Sequence, residues 1–201
     1  MIEYSNITQY NNIDFADYLK LDGFSHSFLK HAKNGIASDI EVTEKMRIGS
    51  MVDAILTEPL KANMADPIYP YCKDIAFNIK EKFGSLITHF QKQISYTCTV
   101  SYDAGTAKFF IYSKGRLDFL LPGHAVIDLK ITDSKDVPAL IEFMGYINQG
   151  WHYCKMAGVK KFYLMVYCIP KKKTFLYEYD CSSDENTFWG NKVLEYGSVE
   201  N

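Results

Sequence analysis

Between Ile94 and Ile131 the hydrophobic period drops from helical to two, and this stretch limits the possible folds more than any other. Ile94, Tyr96, Cys98, Val100 and Tyr102 alternate with mostly polar neighbours, which places them on one face of a strand. Asp103-Ala104-Gly105 is a turn signal. Residues 107–112, 116–121 and 125–131 read as further strands, with Pro122-Gly123 turning the chain between the last two. Helical patterns precede this meander, near 25–35, over 44–57 ahead of Pro59, and over 75–91. The stretch 61–73, with Pro67 and Pro70, reads as irregular. A long helix over 136–157 closes at Gly158, strands follow at 162–169 and 174–179, and a last helix spans 183–196. This order predicts a mixed α/β fold, a central mixed β-sheet flanked by helices.

No repeat, low-complexity tract or linker interrupts residues 1–201, so a single domain is expected, and the length suffices for one core. Five cysteines without a CxxC pair argue against a zinc site or disulfide framework and fit reduced thiols in the cytoplasm. No signal peptide and no membrane-spanning apolar run are expected. The formal net charge of −2 excludes a broadly basic nucleic-acid-binding surface. Any nucleic-acid contact must come from local patches or from an assembled oligomer.

The chemistry concentrates in GRLDFLLPGHAVIDLK, residues 115–130. Strand alternation puts Asp128 and Lys130 on one face and Ile127, Leu129 and Ile131 on the other. It likewise pairs Arg116 with Asp118, opposite Leu117, Phe119 and Leu121. The Pro-Gly turn then brings two carboxylates toward one ammonium group. Converging carboxylates repel unless a cation sits between them, and hard oxygen ligands suit Mg2+ or Mn2+. A strand pair with one exposed polar face gives the same pattern, so Asp-x-Lys alone is not diagnostic.

Asp53 lies in the apolar run Met51–Leu56, where a buried carboxylate needs a partner or a metal. It can equally sit at the helix edge or pair with Arg47 or Lys61. Gly49, one turn earlier, permits close backbone approach or is simply tolerated. Gln149 and Tyr153 share a helix face, either to contact phosphate and base or to fill a helix–sheet contact. His124 reads as a turn residue, while His152 can point either way. The Lys171-Lys172-Lys173 tip is a solvated turn or a phosphate contact. No phosphate-binding loop of the GxxxxGK[ST] type is present.

Taken together and in order, these segments resemble the PD-(D/E)XK nuclease superfamily. They are most similar to the branch holding RecB-type nuclease domains and the RecE-type exonuclease VIII of prophages. Gly49-Ser-Met-Val-Asp53 matches its first helical motif, Gly115-Arg116-Leu-Asp118 its GRxD strand, Ile127-Asp128-Leu129-Lys130 its DLK strand, and Gln149-Gly-Trp-His-Tyr153 its QxxxY helix. FSHSFLKHAKNG and AILTEP resemble the flanking segments. The resemblance covers roughly residues 24–180 and implies a restriction-endonuclease-like core. It also implies that Asp118, Asp128, Lys130, Gln149 and Tyr153 form the catalytic set. Asp53, Asp118, Asp128 and the Leu129 carbonyl would bind Mg2+ or Mn2+, and Arg116, Gln149, Tyr153 and Lys172 would contact DNA.

One departure stands out. The first motif normally ends in His or Glu, and here it ends in Asp53, an oxygen ligand shorter than Glu by one methylene. Direct metal binding, binding through water and weakened activity all remain compatible with it. The cysteine set of the family's iron–sulfur branches is lacking. The resemblance implies a metal-dependent exodeoxyribonuclease hydrolysing phosphodiester bonds at double-stranded DNA ends. Phage or prophage origin, a bacterial cytoplasm, recombination, a ring-like homo-oligomer and a single-strand annealing partner belong to that expectation. The rival expectations are a CRISPR-adaptation-like or structure-specific endonuclease, and a DNA-binding module of weakened activity.

Overall fold

The computed structural model of the 201-residue chain describes residues 1–11, 13–31, 43–183 and 186–199. A seven-stranded sheet in the order β1-β2-β3-β4-β5-β6 forms its centre, with β7 paired to β3. These strands are β1 (Ile2–Tyr10), β2 (Gln91–Asp103), β3 (Lys108–Leu121), β4 (Ala125–Thr132), β5 (Lys161–Cys168), β6 (Lys173–Asp180) and β7 (Ser198–Val199). All neighbours are antiparallel except β4 and β5, which run parallel. A parallel pair needs a crossover, and helices α5 (Val137–Met144) and α6 (Tyr146–Ala157) supply it. The fold is thus the mixed α/β sheet with flanking helices that the sequence predicts.

The core has two clusters. Leu117, Leu120, Val126, Phe162, Leu164 and Val166 belong to the first, beneath α6 and α7 (Thr187–Tyr196). Phe119, Ile127, Leu129, Met165 and Tyr167 belong to the second, beneath α3 (Glu44–Thr57) and α4 (Tyr69–Ile87). Both faces of β4 and β5 are therefore covered, as buried parallel strands require. Helix α3 begins at an N-cap, Thr43, whose side chain accepts from Met46 N.

Several boundaries differ from expectation, each for a local reason. The predicted strands 107–112 and 116–121 are one strand, because Ser113, Lys114 and Gly115 keep their pairing with Cys98, Thr97 and Tyr96. Helix α4 starts at Tyr69 inside the stretch expected to be irregular. Pro70 sits in its first turn, where a missing N–H has no helical partner to lose. The same helix ends at Ile87 instead of 91, since Gln91 already pairs with Leu120. The predicted helix 136–157 is broken at Gly145, which has φ of 63° and closes α5 with N–H bonds to Glu142 and Ile141. Helix α2 spans His26–His31, and its expected end near Gly35 lies outside the described residues. Edge strand β1 and helix α1 (Phe15–Lys20) had no counterpart in the sequence reading. Among the described residues, no helix is long and apolar enough to cross a membrane.

Candidate active site

Strands β3 and β4 pair only from Phe119–Leu121 against Ala125–Ile127. Beyond that short ladder they part. The edge β3 turns away from β4 is taken up by Phe24, bonded to Tyr112 and Lys114, and by β7. At the fork a side chain replaces the missing strand partner, as Asp118 Oδ2 accepts from Leu129 N at 2.7 Å.

The fork also breaks the expected alternation. Leu117 belongs to the first core cluster and Phe119 to the second, so Leu117, Phe119 and Leu121 do not share a face as predicted. On β4 the alternation holds: Ile127 and Leu129 enter the second cluster, leaving Asp128 and Lys130 to the other side. Asp128 is 2% exposed. Lys130 Nζ lies 2.5 Å from its Oδ2. That oxygen has a charge partner by distance but no aligned hydrogen-bond donor. The ammonium also sits 5.3 Å from the centroid of Tyr146, at the start of α6.

Asp53 arrives from α3. Its carboxylate binds neither Arg47, which pairs with Asp66, nor Lys61, which pairs with Glu58. Gln93 Nε2 donates to both its oxygens instead, at 3.1 and 2.9 Å. Arg116 reaches the same cluster, with Nε donating to Gln93 Oε1 at 2.6 Å and Nη1 to the Ile13 carbonyl at 3.0 Å. Its guanidinium is almost enclosed, and Nη2 lies 3.4 Å from Glu58 Oε2.

These groups feel one another. Burial raises the Asp53 carboxyl to about 7, with Lys130 and Arg116 pulling down and Asp128 and Glu58 pushing up. Burial also drives Asp118 well above the carboxylate range, reinforced by Asp53 and Asp128. Burial opposes the charge on Lys130, yet Asp128 and Asp118 outweigh it and raise the ammonium above its usual value. Above the cluster lies an open cleft of about 290 Å³, lined in part by Lys45, Gly49, Ser50, Asp53, Asp118, Leu129 and Lys130.

Gln149 and Tyr153 lie underneath. Both are buried, and Gln149 Nε2 donates to the Tyr153 hydroxyl at 2.8 Å. Burial raises the Tyr153 phenol strongly, with Asp128 and Asp118 contributing. Gly115 makes room for this helix, since a Cβ there would lie 2.8 Å from Tyr153 Cε1 and collide with Met156. Lys172 is exposed at the β5–β6 turn with φ of 47° and is not among the residues lining the cleft. His124 is in the β3–β4 turn, and His152 is buried in the core.

The structure thus gathers Asp53, Asp118, Asp128 and Lys130 at one fork, with Arg116 behind, Gln149 and Tyr153 below and Lys172 apart. Three cluster residues were missed. Gln93 precedes the alternating run by one position and belongs to no motif. Tyr146 lay inside what read as an unbroken helix. Lys45, paired with Asp133 at 2.5 Å, belongs to no motif either.

No protein-family model and no curated protein matches the chain. Solved structures do. A candidate exonuclease from Eubacterium rectale shares the fold. The two are 16% identical with a TM-score of 0.56, over 90% of this chain and 79% of the other. At that identity the likeness establishes the common fold alone. SSO0001 is 14% identical over 76% of this chain and 88% of its own, with a TM-score of 0.41, too distant to support an argument.

The donor set fits a hard divalent cation. Mg2+ sites commonly use one or two protein carboxylates, with water and phosphate oxygens completing the shell. Asp53 and Asp118 both reach the cleft, and the buried Asp128 Oδ2 lacks an aligned donor. Among the described residues no three His, Cys, Asp or Glu side chains form a ready-made cage. The fit is therefore to a cation that brings its own water or a phosphate, and not to a closed structural site.

Proposed function

We propose that this protein is a metal-dependent deoxyribonuclease, and within that class an exonuclease acting at double-stranded DNA ends. The observation that carries the reading is the convergence of three carboxylates and one lysine where β3 and β4 part, under an open cleft. Phosphodiester hydrolysis needs positive charge at the phosphate and a held water. An excess of buried carboxylate is what a divalent cation would relieve. Asp118 and Asp53 would hold the cation, the first anchored by the Leu129 amide, with the Asp128–Lys130 pair beside them. When bound, it would supply charge at the scissile phosphate and acidify water.

The protein's own groups do the rest. Lys130, whose ammonium the carboxylates stabilise, is a donor and not a base. It orients the attacking water and steadies charge developing on the phosphate. Tyr146 and Tyr153 wall the Asp128–Lys130 pair, and the Gln149 bond fixes the Tyr153 ring. Lys45 on the cleft rim offers a phosphate contact. The exonuclease preference, the annealing-protein partner, the ring-like oligomer and phage-type recombination rest on the motif order described above.

Digestion of linear and covalently closed circular duplex DNA, with Mg2+, Mn2+ or chelator, tests the proposal. Metal-dependent loss of linear DNA alone is expected, with turnover about 100-fold lower in Lys130→Ala and Asp128→Asn. Cuts in closed circles would reassign the protein as an endonuclease. No cleavage by the folded protein under any of these conditions would sink the enzyme reading and leave a DNA-binding module.

A further inference from the structure

Gln93 stands apart from every motif in the chain, yet it is the residue that holds Asp53. It is buried on β2 with φ of 53°. That left-handed backbone is unusual for a side chain other than Gly, Asn or Asp, and strain of this kind clusters at functional sites. Its amide orientation is set by chemistry. Arg116 Nε–H can only donate, so the group facing it at 2.6 Å is Oε1. Nε2 must then face Asp53, where it meets both carboxylate oxygens.

The connection continues through Arg116 to Glu58, the C-cap of the helix that carries Asp53. It leaves α3 at Asp53, crosses β2 and β3, and returns to the end of the same helix. A carboxylate whose two oxygens share one amide donor is held against rotation, and its remaining lone pairs keep one direction. The donor is also neutral. It therefore fixes Asp53 without adding a positive charge in direct contact with it.

We propose that Gln93 is the positioning residue for Asp53, orienting its carboxylate and thereby setting the site's affinity for a divalent cation. The proposal rests on the nuclease reading above for its purpose, though its test does not depend on cleavage. Partners that orient metal ligands typically change affinity by about 10- to 100-fold.

The measurement is Mn2+ and Mg2+ affinity by titration calorimetry for the native chain, Gln93→Gly and Gln93→Met. Glycine suits the φ of 53°, methionine keeps the volume, and thermal melting verifies the fold of each. Both variants are expected to bind Mn2+ about 10-fold or more weakly than the native chain. Added to Asp53→Asn, the same substitutions should change affinity and residual turnover less than about 2-fold, because Gln93 acts through Asp53. Native affinity in a folded Gln93 variant overturns the proposal. So does an equal loss in both backgrounds, the signature of a merely structural role. A native chain that binds Mn2+ but cleaves no DNA removes the nuclease reading and leaves the affinity comparison decisive. A native chain that binds neither cation overturns the positioning role itself.

Discussion

Asp53 has a carboxyl raised to about 7 chiefly by burial, and this has a thermodynamic consequence. A raised acid keeps its proton in the folded protein at pH values where the unfolded chain has released it. Stability therefore falls as pH climbs from about 4 to about 7, by an amount on the order of 3 kcal/mol for Asp53. Asp118, raised by burial and by its acidic neighbours, pulls in the same direction. The lowered carboxylates Asp66, Glu178, Asp180 and Glu195 lose their contribution only as pH falls through their own acidic range, below this window. Without divalent metal, Asp53→Asn should raise the melting temperature relative to the native chain by about 9 °C at pH 8 and by clearly less at pH 5. A pH-independent difference between the two proteins would show that Asp53 is not the strained acid. Added Mg2+ should stabilise the native chain most at the higher pH, where cation and proton no longer compete.

At the scale of elements, the break between α5 and α6 matters most. Gly145 ends one helix and opens the next, and its φ of 63° sets the angle between them. Tyr146 follows at once and packs near Lys130, so the break decides where this wall of the site stands. A Cβ at Gly145 meets nothing closer than Asn148 Nδ2 at 3.6 Å, so the cost of Gly145→Ala is backbone strain alone. That cost is about 1 kcal/mol, seen as a melting temperature lower by about 3 °C. An unchanged or higher melting temperature would mean that the helices tolerate a continuous backbone here.

For the molecule as a whole, His152 joins elements far apart in sequence. Its Nδ1 and the Tyr4 hydroxyl of β1 lie 2.5 Å apart, and its Nε2 is 3.0 Å from Ser113 Oγ of β3. The ring stacks on Trp189 of α7 at 3.8 Å between centroids. Burial holds the imidazole well below its ordinary value, so it is neutral in the folded protein. A depressed histidine loses stability as pH falls below about 6.5, because the unfolded chain takes up the proton first. His152→Ala should cost about 3 kcal/mol in denaturant unfolding, through a cavity and a stranded Tyr4 hydroxyl. It should also flatten the loss of stability between about pH 6.5 and 5. A cost under about 1 kcal/mol would mean that edge strand β1 and α7 are held by other contacts.

Much of this was readable from local pattern. The alternation from Ile94, the Pro122-Gly123 turn and the helix Glu44–Thr57 reflect periodicities that only near neighbours set. The Asp118, Asp128 and Lys130 motifs stood out through their order along the chain and its resemblance to a known family, since the strand period alone marks only a polar face. Strand β1 was not, because an edge strand with one solvated side carries little apolar alternation, and only Ile2 and Tyr4 turn inward. The fork between β3 and β4 was equally hidden. It depends on a ladder that stops after three residue pairs and on Phe24 and β7 taking up the same edge of β3 farther along the strand. Gln93 illustrates the limit best, since its meaning lies in Asp53 and Arg116, 40 and 23 residues away. The sequence by itself determined most element types, the mixed α/β class and the acidic and basic residues available for chemistry, because these follow from local periodicity and side-chain type. Only the tertiary structure decided which carboxylates share one low-dielectric space, which lysine they hold and what orients them, because burial and charge coupling depend on distances that chain order does not set.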